Sequence, residues 1–131
     1  MDAIKIKTIA KRNPLDPEAE YKHYAVAVHN GKIDLDELAS EVADRCSMRR
    51  ADVYGVLVAL TDFIPQALKK GKVIGLGKLG TFSVNVSSLG ETTATEVTPN
   101  TLKGFKLSFR PTKELREQLQ LSRITFSNQT L

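Results

Sequence analysis

Gly80-Thr81-Phe82-Ser83-Val84-Asn85-Val86 and Phe105-Lys106-Leu107-Ser108-Phe109-Arg110-Pro111 decide how this chain folds. In the first stretch Phe82, Val84 and Val86 alternate with Thr81, Ser83 and Asn85. In the second, Phe105, Leu107 and Phe109 alternate with Lys106, Ser108 and Arg110. Side chains of a strand point to opposite faces with a period of two, so each stretch reads as a strand with one apolar and one polar face. The polar residues 87–101 between them make the pair a hairpin with a long tip. Upstream, residues 73–76 read as a short strand and 77–80 as a turn, giving a three-stranded antiparallel sheet whose hairpin extends as an arm. Downstream, Pro111 at a first helical position starts a helix over about 112–121, with Leu115 and Leu119 inward.

Two helices precede this sheet. Asp34 can cap the free amides of a first turn, and Glu37 three residues on completes a capping box. Leu35, Leu38, Ala39, Val42 and Cys46 form the apolar stripe, which places Cys46 in core packing. Ser47 is expected to cap a second helix that runs to about Lys70 and closes at Gly71. Its apolar positions are Val53, Tyr54, Val56, Leu57, Val58, Leu60, Phe63, Ile64 and Leu68. At 100° per residue they cover roughly 220° of the circumference, against ~100° for a surface helix. A helix that apolar needs cover on two sides, and a second copy of the chain is the economical cover. The sequence therefore predicts a homodimer whose core takes Val53, Val56, Leu57, Leu60, Ile64, Phe82, Phe105 and Phe109. Pro65 should kink the helix.

At the N-terminus residues 4–9 and 21–28 alternate as strands, with Ile4 and Ile6 on one face of the first and Tyr24, Val26 and Val28 on one face of the second. The loop 12–20 carries Pro14 and Pro17, and Asn30-Gly31 is a turn signal. These two strands form an N-terminal attachment, and the tail 122–131 either adds a strand at Ile124-Thr125-Phe126 or is loose. With no repeat or linker, the reading is one domain over 1–131: a β-extension (1–32), an α+β core (33–121) and a tail (122–131).

Composition narrows the function. With 131 residues, 41% hydrophobic and 26% charged, the chain is globular and not disordered. A single cysteine excludes an internal disulfide framework. The longest strongly apolar stretch, 53–60, falls short of the ~20 residues of a membrane helix, so no membrane partner is expected. The first residues hold no apolar block of the secretory kind, which predicts a cytoplasmic protein.

Charge is uneven. Residues 1–34 carry a net +1, residues 35–68 a net −3 and residues 69–131 a net +6. The basic set is Lys69, Lys70, Lys72, Lys78, Lys103, Lys106, Arg110, Lys113 and Arg116. Lys106 and Arg110 share the outer face of one strand, and Lys113 and Arg116 continue onto the following helix. Such a surface can neutralise phosphates without reading bases.

Other chemistry is poorly served. Gly75-Leu76-Gly77-Lys78-Leu79-Gly80 spells G-x-G-x-x-G, but a strand pattern follows it, so a phosphate would lack the helix N-terminus that holds it. The glycines are read as a tight strand-to-strand connection. His23, His29 and the distant Cys46 make no metal site, and no nucleophile–base set can be nominated. The expectation is a protein with no catalytic residues, no metal, no cofactor and no small-molecule substrate.

The order of these elements resembles the bacterial histone-like HU and integration host factor family over roughly 33–121. The anchors are residues 69–72, Leu79-Gly80-Thr81-Phe82 and Phe109-Arg110-Pro111-Thr112-Lys113-Glu114-Leu115. They are similar to the family's helix-end turn, its Gly-Phe-Gly-Thr-Phe segment and its Phe-Lys-Pro-Gly-Lys-x-Leu segment. Residues 1–30 resemble the addition of a variant HU-like subfamily. The resemblance implies an intertwined homodimer that binds double-stranded DNA with little sequence preference, in an architectural role in the nucleoid. In the family, two β-arms follow the minor groove and proline tips wedge between base steps. Here the family's Arg-Asn-Pro tip is missing: over 87–103 Lys103 stands against Glu91 and Glu96, and Pro99 is the candidate wedge. The alternative expectation is an HU-like scaffold or protein-interaction module that has lost DNA binding, with the edge of the 4–9 strand open to a partner.

Overall fold

The computed structural model describes residues 3–129, and the contacts within the chain divide it into two compact units. One comprises Met1–Ile33 with Leu119–Leu131, the other Asp34–Gln118. The last two residues of the expected tail, Thr130 and Leu131, lie outside the described residues.

In the larger unit, helix α1 spans Leu35–Ala43 and helix α2 spans Arg50–Lys69. Asp34 caps α1 as its spacing predicts: its carboxylate accepts the Glu37 amide at 2.9 Å. The α1 helix stops at Ala43, before the apolar periodicity reaches Cys46, so Cys46 lies in the following turn and is exposed rather than packed in a core. The second start also differs from expectation. Arg49, with no side-chain cap bond, occupies the N-cap of α2, and Ser47 lies two residues outside it. The Arg50 side chain instead ties the helices together, donating to Ser40 Oγ at 3.1 Å and pairing with Asp36. At its far end α2 closes as expected on Gly71, whose φ of 78° suits glycine. There the Gly71 amide donates to the Leu68 carbonyl at 3.0 Å and the Lys72 amide to the Ala67 carbonyl at 3.1 Å, the paired bonds of a Schellman closure. The helix runs unbroken across Pro65.

At 20 residues, with a mean hydropathy of 1.2 over its most apolar window, α2 is long and apolar enough to cross a membrane by length and composition. The shorter stretch 53–60 understated this. Asp62 near its middle, where a carboxylate in lipid costs about 3 kcal/mol, argues against that role.

The sheet follows. Strands β3 (Ile74–Gly75), β4 (Gly80–Ser88) and β5 (Leu102–Pro111) pair antiparallel in that order. Phe82 faces Phe109, Val84 faces Leu107 and Val86 faces Phe105, so the apolar residues of both strands share one side. On the other side Thr81 faces Arg110, Ser83 faces Ser108 and Asn85 faces Lys106. Lys103 is the extra residue of a bulge between the pairs Ser87–Gly104 and Ser88–Leu102. The tip beyond it is built from two short 3-10 turns, Ala94–Glu96 and Pro99–Thr101. Pro111 ends β5 rather than opening a helix. Helix α3 covers only Lys113–Gln118, and Leu119, expected inward, lies beyond it and is exposed. The cap is Thr112, whose hydroxyl accepts the Leu115 amide at 3.1 Å.

In the smaller unit strand β1 (Ile4–Lys11) lies between β2 (Lys22–Val28), antiparallel to it, and β6 (Phe126–Asn128), parallel to it. The tail therefore adds a third strand, shifted two residues from the expected 124–126. It covers the expected open edge of β1 over Ile4 to Ile6.

Buried apolar residues are few: among the described residues they are Ala39, Val53 and Ala67. Val56, Leu60 and Phe63 of α2 and Val84, Val86, Phe105, Leu107 and Phe109 of the hairpin are exposed, Phe105 by 76%.

Candidate nucleic-acid interface

The polar side of the β4–β5 hairpin forms an open groove of about 440 Å³. Thr81, Ser83 and Asn85 of β4 and Ser108 and Arg110 of β5 line it, and Arg116 of α3 with Val73, Phe109 and Pro111 completes the wall. Strand alternation turns these β4 and β5 side chains one way, and the register sets Arg110 opposite Thr81. Asn85 Nδ2 donates to Ser108 Oγ at 2.9 Å across the strands, which fixes the amide along the floor. No carboxylate lines this groove. Two guanidiniums beside neutral hydroxyl and amide groups favour an anion with several oxygens, since a guanidinium forks onto phosphate in two parallel bonds.

The other expected cations fall around this groove in different ways. Lys69 ends α2, Lys70 caps it and Lys72 follows Gly71. The chain then reaches Val73 in the groove wall. Lys78 occupies the β3–β4 turn. Two bonds hold that turn against the start of α3, from the Thr112 hydroxyl to the Lys78 carbonyl and from the Thr112 amide to the Leu79 carbonyl at 3.1 Å. The structure thus brings the segment bearing Lys78 to the one bearing Lys113. Lys113 lies 3.9 Å from Glu117 one turn on, the one carboxylate pairing among these nine cations within the described residues. Lys106 shares the polar face with Arg110, four strand steps away or ~13 Å. Lys103 stands apart, seven steps or ~24 Å from Arg110, at the base of the tip. The tip, 89–101, holds Glu91 and Glu96 and no cation, and Pro99 opens its second 3-10 turn.

The sequence reading named only cations and passed over Thr81, Ser83, Asn85 and Ser108. The signal was present: the alternation that put Lys106 and Arg110 outward put these four on the same face. Among the described residues no three of His, Cys, Asp and Glu gather where a metal could sit.

Two helices, a three-stranded antiparallel sheet with a long hairpin and a short closing helix define an HU-like fold. Among solved structures, an Anabaena HU–DNA cocrystal matches with a TM-score of 0.52 at 22% identity, covering 67% of this chain and 98% of that one. A Bacteroides vulgatus protein, provisionally assigned as a bacterial DNA-binding protein, matches with a TM-score of 0.62 at 14% identity and covers 97% of this chain. The present chain spans about half of that protein's length, 48%. No functionally curated protein matches. The model of the HU-HIG family, an HU domain fused to a wHTH, Ig or glycine-rich motif, matches residues 3–126, and the chain belongs to that family.

Proposed function

We propose that the chain is an architectural DNA-binding protein of the bacterial nucleoid, acting by binding and not by catalysis. It grips duplex DNA as a homodimer through phosphate contacts, with little sequence preference. The observation that carries this is the groove on the hairpin's polar face, which Arg110 and Arg116 line without a carboxylate. Lys106 extends the surface along the strand, and Lys69, Lys70, Lys72, Lys78 and Lys113 supply charge from the turns beside it. Lys103 and Pro99 serve the arm. Phosphate contacts set affinity and carry no base information, so specificity is low.

Dimerisation follows from what the protomer leaves bare. Val56, Leu60 and Phe63 of α2 and Val84, Val86, Phe105, Leu107 and Phe109 of the hairpin are exposed, and an intertwined partner would cover these faces.

The Anabaena relative is a DNA complex, and that supports the reading by fold. The test is fluorescence anisotropy on duplexes of unrelated sequence. Wild type should bind them with similar affinity, and R110A/R116A should bind all of them at least tenfold more weakly. Undiminished binding by the variant would refute the groove. The carboxylates of the tip favour a second reading, an HU-like interaction module without DNA affinity, which predicts no duplex binding by either protein.

A further inference from the structure

The register of β1 against β2 has a consequence for charge. Lys5 stands opposite Val28, Lys7 opposite Val26, Ile9 opposite Tyr24 and Lys11 opposite Lys22. The apolar stripe of β2 therefore shares a face with the lysines of β1, not with Ile4 and Ile6. That face carries four lysines, all exposed, around Ile9, Val26 and Tyr24. At its end a cleft is lined by Ile9, Lys11, Arg12, Lys22, Tyr24 and Val26, with Glu20 its one carboxylate. The Arg12 guanidinium stacks 5.0 Å from the centroid of Tyr21. Lys11 and Lys22 face each other directly, an arrangement that destabilises a bare sheet. Among the described residues neither has a carboxylate within salt-bridge reach.

From this face we infer a second nucleic-acid surface: the N-terminal sheet binds the phosphate backbone of DNA through Lys7, Lys11, Arg12 and Lys22, with Tyr24 against the sugar edge. The ladder from Lys7 to Lys11 is four steps, ~13 Å, which matches about four base pairs of duplex at the charge spacing of DNA. Alternating cations with an aromatic and aliphatic groups suits a sugar-phosphate chain, whose charged and apolar parts also alternate. Phosphate between Lys11 and Lys22 relieves the repulsion that the free sheet bears. This surface belongs to residues outside the hairpin and does not depend on the hairpin groove.

The test uses the full chain and a random-sequence duplex over a range of salt. K7E/K11E/K22E should bind at least tenfold more weakly, with the slope of log K against log salt smaller by about two to three for each subunit in contact with the duplex. K7R/K11R/K22R should bind as wild type. K22E alone should melt a few degrees higher, because it turns a repulsion into an ion pair, and yet bind more weakly. That opposite movement of stability and affinity separates a binding residue from a structural one. Unchanged affinity and slope in the triple variant would overturn the inference, as would an equal loss in the charge-matched K32E/R45E/R123E. So would a triple variant that keeps DNA binding and loses only adhesion to phosphatidylserine vesicles. If R110A/R116A is silent while K7E/K11E/K22E is not, the hairpin reading fails and this one stands. The converse result leaves the hairpin reading alone.

Discussion

Phe82 and Phe109 meet across the β4–β5 ladder with ring centroids 4.9 Å apart and planes tilted by 49°. Tilted aromatic pairs at this separation add about 1 kcal/mol beyond the area they bury. The pair sits at the body end of the hairpin, next to Gly80, and sets the apolar side of the sheet while Arg110 is turned to the other. With the ring covered by a partner in the proposed dimer, Phe109→Ala should destabilise the dimer by about 3 kcal/mol, read as a lower urea midpoint. Phe109→Leu should cost less than half of that.

Gly80 is the tightest glycine in the chain. A side-chain carbon there would run into the Arg110 carbonyl and the Phe109 ring. Backbone cannot yield as a flexible side chain does, so Gly80→Ala should cost about 2–3 kcal/mol by overpacking. Gly90→Ala has open space around it and should be close to neutral. Thermal melts of the two variants side by side check the contrast.

Thr112 does two things at once, capping α3 and holding the turn that bears Lys78. Thr112→Val keeps the shape and removes both bonds. It should lose about 1–2 kcal/mol of stability. DNA affinity should fall as well, because only the Thr112 amide bond to the Leu79 carbonyl then holds the Lys78 turn to the segment bearing Lys113. Thr112→Ser should retain both properties.

The exposed apolar faces of α2 and the hairpin predict that folding and association are one equilibrium. The unfolding midpoint should rise with protein concentration, as for a dimer with no stable monomer. Val56→Asp places a charge on the bare face of α2 and should abolish the dimer in sedimentation velocity.

The tip carries Glu91 and Glu96, opposite in charge to the proposed DNA-binding groove. E91K/E96K replaces its two carboxylates with amines. It should raise duplex affinity several-fold at low salt, with the gain fading as salt screens it. Gel-shift titrations at two ionic strengths measure this.

Much of the fold was legible because the hairpin has a strict period of two, and because Asp34 and Gly71 are unambiguous helix ends. The errors share a physical origin. Ser47 and Pro111 both have helix-starting chemistry, yet Arg49 and Thr112 sit where the backbone turns, and local propensity cannot tell neighbours apart. Cys46 was placed by extending a periodicity past the point where α1 ends. The parallel pairing of β6 with β1 joins residues far apart in sequence, and nothing local announces it. The cationic face of the small sheet was hidden for the same reason: each strand showed its own apolar stripe, but only the register reveals that the two stripes lie on opposite faces. The groove cations were legible as charge, and their neutral neighbours Thr81, Ser83, Asn85 and Ser108 as the polar half of the same alternation.

The most direct test of the central claim is the salt dependence of duplex binding by the intact protein. Phosphate contact by both copies of a dimer predicts a steep linear fall of log K with log salt, with a slope near −5 or beyond for about six contacts. It also predicts a two-to-one stoichiometry of chain to site. Binding that is absent, or that barely changes with salt, would contradict it.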